Sequence, residues 1–336
     1  MIKVGIVGCS GYTAIEAIKL ILRHPQADIA AATSRQADGS SLSDMHPQFA
    51  GRTRVTVEDL SPQQIAERCD VALCCLPHGA SAPIVVELLA HGCKVIDLSA
   101  DYRLSTPALY QKWYGDHHPD PGRLGQVPYG LPELFADAIR PAQLVANPGC
   151  YPTSAILPLA PLLKEAIIES SGIVVDSKSG VSGAGRTPKL GNLYSEVNES
   201  MAAYSVGTHR HQPEIIDICA RYSGVTPSLV FTPHLTPMDR GIFSTIYVHP
   251  KPHVTANQVR ECLCSFYHDS QFVRVVGDLP ATKHVANTNF CDITVRENGE
   301  WIILLSTLDN LIKGASGAAV QCMNLMFNFD EKTSLL

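Results

Sequence analysis

Hydrophobic and polar positions change rhythm about midway along the chain, and that change sets out the architecture. In the first half, short uninterrupted apolar runs alternate with stretches of helical spacing. Residues 2–7 are mostly β-branched and predict a buried strand, and residues 15–22 repeat apolar positions at helical intervals. Further strands are expected at 29–33, 70–77, 94–99 and 144–146, with a helix from Pro83 to Ala90. Residues 105–140 mix Pro, Gly, His and aromatics without a period and read as a long connection holding short helices. Strands and helices in alternation predict a doubly wound parallel sheet. In the second half, strands at 173–178, 229–232, 243–248, 272–276, 290–295 and 301–306 mostly lack intervening helices. With one helix continuing through Ile215-Ile216 and another near 255–267, they predict a mixed or antiparallel sheet covered by helices. A final helix through Met326 is rich in Gly and Ala, which allows close packing back onto the first half.

Composition narrows the class. A length of 336 residues predicts about two domains. Apolar residues make up 45% and charged residues 17%, as in a compact globular protein. A net charge of −6 without a basic run argues against nucleic acid as a partner. No run of eighteen apolar residues occurs and the apolar opening is too short for a signal segment, so neither a membrane span nor export is expected. Eleven cysteines, an odd number scattered through a large chain, predict reduced thiols and a cytoplasmic location. Cys74-Cys75 and Cys262-Leu263-Cys264 lack zinc-site spacing and the thirteen histidines contain no HExxH, so no metal is expected.

Between the first strand and first helix lies Gly8-Cys9-Ser10-Gly11-Tyr12-Thr13-Ala14. Strand, glycine turn and helix form a dinucleotide-binding unit of Rossmann type. Gly8 permits the turn, Gly11 lets a pyrophosphate approach the backbone, and Ala14 lets the helix pack closely. Gly8, Ser10, Gly11, Tyr12 and Thr13 are the expected cofactor-binding residues there. The spacing is one residue off the standard fingerprint, and its place at the N-terminus between strand and helix carries the assignment. The second strand ends in Ser34-Arg35, a hydroxyl and a guanidinium where a carboxylate would select NAD, which favours the 2′-phosphate of NADP.

The candidate chemistry centres on Asn147-Pro148-Gly149-Cys150-Tyr151-Pro152-Thr153. Pro-Gly favours a tight turn, and Pro152 suits the first turn of a helix. Cys150 would then sit where unpaired amides and the helix dipole lower a thiol pKa from its usual ~8.5, as a nucleophile needs. Pro158 and Pro161 are expected to limit or kink that helix. Beyond the strand at 173–178, Ser179-Gly180-Val181-Ser182-Gly183-Ala184-Gly185-Arg186 offers backbone amides to a ligand, with Arg186 and Lys189 supplying positive charge. In His209-Arg210-His211-Gln212-Pro213-Glu214, Glu214 lies three residues past His211, a spacing that lets a carboxylate orient an imidazole. Arg103, just past a strand end, suits either an anionic ligand or an ion pair with Asp101. A dinucleotide, an activated thiol and a histidine together fit hydride transfer to or from a carbonyl held as a thioester.

The motifs at 8–13, 97–103, 147–153, 179–186, 209–214 and 231–235, in that order, resemble the N-acetyl-γ-glutamyl-phosphate reductase family over essentially the full length. Ala14 departs from the Gly common in the family, but still fits the third fingerprint position. The resemblance implies NADPH-dependent reduction of N-acetyl-γ-glutamyl phosphate to the semialdehyde and phosphate, a step of arginine biosynthesis. It implies a fold like aspartate-semialdehyde dehydrogenase: a Rossmann-type NADP-binding domain at 1–149 completed by 311–336, and an α+β catalytic and oligomerisation domain at 150–310. In that scheme Cys150 is the nucleophile and His211 the acid–base. Arg103 binds phosphate, Ser182, Gly183 and Asn310 face the nicotinamide, and His209, His234 and Arg240 line the substrate pocket. A homo-oligomer, dimer or tetramer, follows by analogy. Two alternatives stay open: a related reductase of aspartyl or aminoadipyl phosphate, and a non-catalytic NADP-binding sensor.

Overall fold

The computed structural model describes residues 1–35 and 39–336. The chain forms two compact units, one of Met1–Pro148 with Ala315–Leu336, the other of Gly149–Gly314. None of the described helices is long and apolar enough to cross a membrane.

The first unit is built on six parallel strands: β1 (Ile2–Val7), β2 (Ala27–Thr33), β3 (Val57–Glu58), β4 (Val71–Cys74), β5 (Lys94–Asp97) and β6 (Leu144–Ala146). Their order in the sheet is β3-β2-β1-β4-β5-β6. This is the doubly wound order, and its central strands are buried on both faces, which is why they read as continuous apolar runs. Helix Gly317–Met326 belongs here, all ten residues buried. Lys94 Nζ donates to its Met326 carbonyl at 3.1 Å, and Ser316 Oγ donates to the Thr13 carbonyl at 2.6 Å. The helix Pro62–Arg68 has no counterpart in the sequence reading, although Ser61-Pro62-Gln63-Gln64 is a capping box with Pro in the first turn.

At the end of β5, Asp97 is fully buried. Its carboxylate accepts hydrogen bonds from Ser81 Oγ (2.6 Å), Ser99 N (3.0 Å) and Ser99 Oγ (2.7 Å). Burial pushes its pKa from 3.8 up to about 6. Between those values the folded chain keeps a proton that the unfolded chain has released. The contribution therefore favours folding at low pH and is lost as pH rises through about 6. Asp97→Asn keeps the acceptor oxygen, and the serine hydroxyls can turn to accept from its amide. Across pH 4–6 the variant is expected to lose roughly 1–3 kcal/mol less stability than the parent, measured by denaturant unfolding.

The second unit carries seven strands: β7 (Ile173–Ser179), β8 (Ala202–Ala203), β9 (Leu229–Leu235), β10 (Ile242–Val248), β11 (Val273–Val275), β12 (Cys291–Asn298) and β13 (Trp301–Leu308). Their order is β11-β12-β13-β10-β7-β9-β8; β7–β9 and β11–β12 are parallel pairs and the rest antiparallel. Helices Cys150–Lys164, His211–Ser223 and Ala256–Phe266 pack on one face. A buried chain of hydroxyls joins the first of them to the sheet, Ser154 to Ser244 to Ser177, at 2.7 Å each. On the opposite face the register aligns Val174, Val230, Tyr247 and Ile303 in one row, with Phe243 and Leu305 beside them, all partly exposed or exposed.

The helix from Cys150 corrects one expectation. It runs without interruption to Lys164, through Pro158 and Pro161. Pro161 has no N–H for the carbonyl of Leu157, and the hydroxyl of Tyr267 takes that place at 2.6 Å. Thirteen of the fifteen residues are buried, so packing overrides the local cost.

All eleven cysteines are free thiols. Seven are buried, and Cys75, Cys150, Cys262 and Cys264 are partly exposed.

Candidate active site

Cys150 is the first residue of its helix, partly exposed, behind Gly149 in an extended conformation (φ −73°, ψ 152°). Thr153 closes the turn, its amide and its hydroxyl each donating to the Gly149 carbonyl at 3.0 Å. The Gly149 amide donates to Glu214 Oε1 at 2.9 Å. The other oxygen, Oε2, lies 4.0 Å from His211 Nε2. One fully buried carboxylate therefore addresses both the turn that presents the thiol and the candidate imidazole. The spacing of His211 and Glu214 announced the second contact. The first spans 65 residues and left no trace in the sequence.

Glycine fits where the chain approaches the nucleophile. A Cβ on Gly314 would stand 2.8 Å from Cys150 Cβ and 3.2 Å from Asp309 O. Gly314→Ala must displace the start of the thiol helix, and is expected to cost about 1–3 kcal/mol of stability and to lower kcat tenfold or more, since misplacement near 1 Å can cost about 10²-fold. Thermal unfolding and steady-state rates measure both.

Beyond β13, Asp309 is buried and accepts from the amides of Leu311 (2.8 Å), Ile312 (3.1 Å) and Asn287 (2.7 Å). Arg240 Nη1 lies 3.4 Å from its Oδ2. Asn310 Nδ2 donates to Ser182 Oγ at 3.0 Å, and Asn310 Oδ1 accepts from Gly241 N at 2.8 Å. Ser182 and Asn310, both expected at the nicotinamide, are thus hydrogen-bonded to each other, and Arg240, expected in the substrate pocket, lies at the neighbouring Asp309. The loop after β7 is less open than read. The amides of Gly180, Val181, Ser182, Gly183 and Gly185 all bond within the protein, and Gly183 packs against Ser179 Oγ. Gly180 and Gly183 serve close packing, and Gly185 a φ of +81°. Arg186 beyond them is exposed.

Tyr151, next to the thiol, donates its hydroxyl to the His234 carbonyl at 2.9 Å and accepts from Tyr204 at 3.3 Å. Its ring meets Phe231, His209 and His211 edge-on. The His234 ring is elsewhere. Its Nδ1 is 3.1 Å from Asp176, whose carboxylate pairs with Lys178 at 2.6 Å. Asp176 and Lys178 lie across the sheet from Ser177, which faces the thiol helix. The structure therefore puts His234 on the opposite face from Cys150, and the expectation that it lines the pocket is dropped.

In the first unit, Gly8 has φ +84°, and a Cβ there would come within 2.8 Å of Leu76 Cδ2 and 3.0 Å of Cys75 O. Helix Tyr12–Ile21 begins at Gly11 with no side-chain cap, and the amides of Gly11, Tyr12 and Thr13 have no partner among the described residues. That cradle fits a pyrophosphate. Ser34 and exposed Arg35 follow β2, and the Ser34 amide donates to the Glu58 carbonyl at 3.2 Å. Arg103 is buried, Nε donating to the Asn147 carbonyl and Nη2 to the Leu98 carbonyl, both at 2.8 Å. Asp101 instead accepts from the Gly79 and Ala82 amides and the Tyr110 hydroxyl.

Comparison with known proteins gives the class. Residues 3–142 match the family described as semialdehyde dehydrogenase, NAD binding domain, and residues 150–310 its dimerisation domain. The fold is that of aspartate semialdehyde dehydrogenase II from Vibrio cholerae complexed with ASA (TM-score 0.74, 17% identity, 98% of each chain). It is equally that of aspartate semialdehyde dehydrogenase with NADP from Candida albicans (TM-score 0.74, 16% identity, 99% of each chain). Among curated relatives, N-acetyl-gamma-glutamyl-phosphate reductase of Rhodopirellula baltica is 57% identical over 100% of this chain and 98% of its own. That of Desulfotalea psychrophila is 46% identical over the same shares. The chain belongs to the N-acetyl-gamma-glutamyl-phosphate reductase family.

Proposed function

We propose that this chain reduces N-acetyl-γ-glutamyl phosphate to N-acetylglutamate 5-semialdehyde and phosphate, with NADP(H) as cofactor, as a cytoplasmic enzyme of arginine biosynthesis. The observation that carries the mechanism is Glu214 bridging His211 and the Gly149 turn that presents Cys150. His211 takes the proton as the Cys150 sulfur attacks the acyl phosphate. Glu214 holds the imidazole and the turn together. At this helix start the Gly149 amide is committed to Glu214, Pro152 has none and that of Thr153 returns to Gly149. The developing oxyanion is met by backbone N–H groups at this helix start, that of Tyr151 among them, and such a donor contributes about 3–4 kcal/mol. Phosphate leaves, its charge met by Arg103 and Arg186, and Cys150 carries the acyl group as a thioester. NADPH, when bound, supplies the hydride for that carbonyl. His211 then returns its proton as the thiohemiacetal collapses. Arg240, oriented by Asp309, is the substrate-binding cation.

Residues 1–149 with 311–336 bind the nucleotide, through Gly8, Ser10, Gly11, Tyr12 and Thr13 at the pyrophosphate and Ser34 and Arg35 at the 2′-phosphate. Ser182, Gly183 and Asn310 take the nicotinamide end. Arg35→Ala is expected to raise the KM for NADPH roughly 10–100-fold while changing that for NADH less than about threefold. Initial rates with both nucleotides measure it. Residues 150–310 are the catalytic and oligomerisation domain, and the partly apolar open face of its sheet is the surface for a second copy. Mass in solution tests that. The substrate is tested by phosphate-dependent NADP reduction with N-acetylglutamate semialdehyde against aspartate semialdehyde. Preference for aspartate semialdehyde overturns the assignment.

A further inference from the structure

The geometry fixes the hydrogen-bonding role of the His209 ring. Its Nδ1 lies 3.1 Å from the backbone nitrogen of His211 and accepts that hydrogen bond. A ring nitrogen that accepts carries no proton, so the hydrogen of a neutral His209 sits on Nε2. Helix His211–Ser223 starts after Arg210, which supplies no side-chain cap. His209 fills that office for the first amide. Its ring touches four others: His211 at 4.7 Å between centroids, Tyr204 and Phe231 at 5.4 Å, and Tyr151, the neighbour of Cys150, at 5.9 Å.

We infer that His209 is a positioning residue: as a neutral ring it caps the His211 amide and fixes where the acid–base imidazole stands, without carrying the transferred proton. Protonation at Nδ1 would break the cap. Burial first, and the Arg210 charge second, push the His209 pKa down from 6.5 to about 4, which keeps that nitrogen an acceptor at neutral pH. The inference rests on His211 being the acid–base group.

Three variants of the full chain separate the roles: His209→Asn, which retains an acceptor at the depth of Nδ1, His209→Leu, which fills the space without one, and His211→Asn. His209→Asn is expected to keep kcat within about threefold and the parental pH profile, whereas His209→Leu loses about tenfold or more in kcat. His209→Leu is also expected to shift the limb of kcat/KM set by His211. If His209→Asn falls as far as His211→Asn, His209 carries the proton and the inference is wrong. Parental kcat in His209→Leu also overturns it. Parental turnover in His211→Asn would instead remove the acid–base assignment. Nitrogen NMR of histidine-labelled protein then judges His209 by itself and needs no variant to fold. The expected signature is an unprotonated Nδ1 with the proton on Nε2, held down to about pH 5; a proton on Nδ1, or titration near 6.5, refutes the cap.

Discussion

Cys150→Ser is expected to lower turnover at least about 10⁴-fold while leaving the fold and NADPH affinity intact. One atom changes at a partly exposed position, so packing is hardly disturbed. The nucleophile changes greatly, because a helix start stabilises a sulfur anion but cannot ionise a serine hydroxyl at neutral pH. Steady-state rates give the loss, and intact-mass spectrometry gives its cause. The parent incubated with acyl phosphate alone gains the mass of one acyl group, and the serine variant gains none. An acylated serine variant, or one that outperforms His211→Asn, would remove Cys150 from the centre of the scheme.

His211→Asn is expected to lower turnover by roughly 10²–10⁴-fold, the usual contribution of a positioned acid–base group. The loss is smaller because the Gly149–Glu214 bond survives, so the turn still presents the sulfur. Solvent must take the thiol proton instead, and the rising limb of the pH–rate profile moves upward. Rates across pH 6–9, with the acylation burst measured separately, show whether both proton transfers are slowed. An unchanged profile would mean that the imidazole does not move the proton.

The strands and most longer helices were legible because their patterns are local: apolar runs in the parallel sheet, and a period of two in β7 and β10. The same period could have placed His234. Phe231 and Pro233 point inward along β9, so His234 must share the face of Thr232. β8 was illegible, since two alanines pair with β9 only through their backbone. The thiol helix passed Pro161 because Tyr267, more than a hundred residues away, replaces the missing donor. In the site, Cys150 and His211 carried local signatures. The Gly149–Glu214 bond and the contact of Gly314 with Cys150 exist only in three dimensions.

The distribution of thiols has a practical side. Burial pushes Cys9 and Cys69 up to about 11 and Cys93 and Cys219 up to about 12, and Cys75, though partly exposed, also reaches about 12. Such sulfurs stay protonated and slow toward soft electrophiles. A substrate mimic bearing a mild warhead would therefore have few competing targets on this chain, and its occupancy would read out directly as the fraction of enzyme silenced.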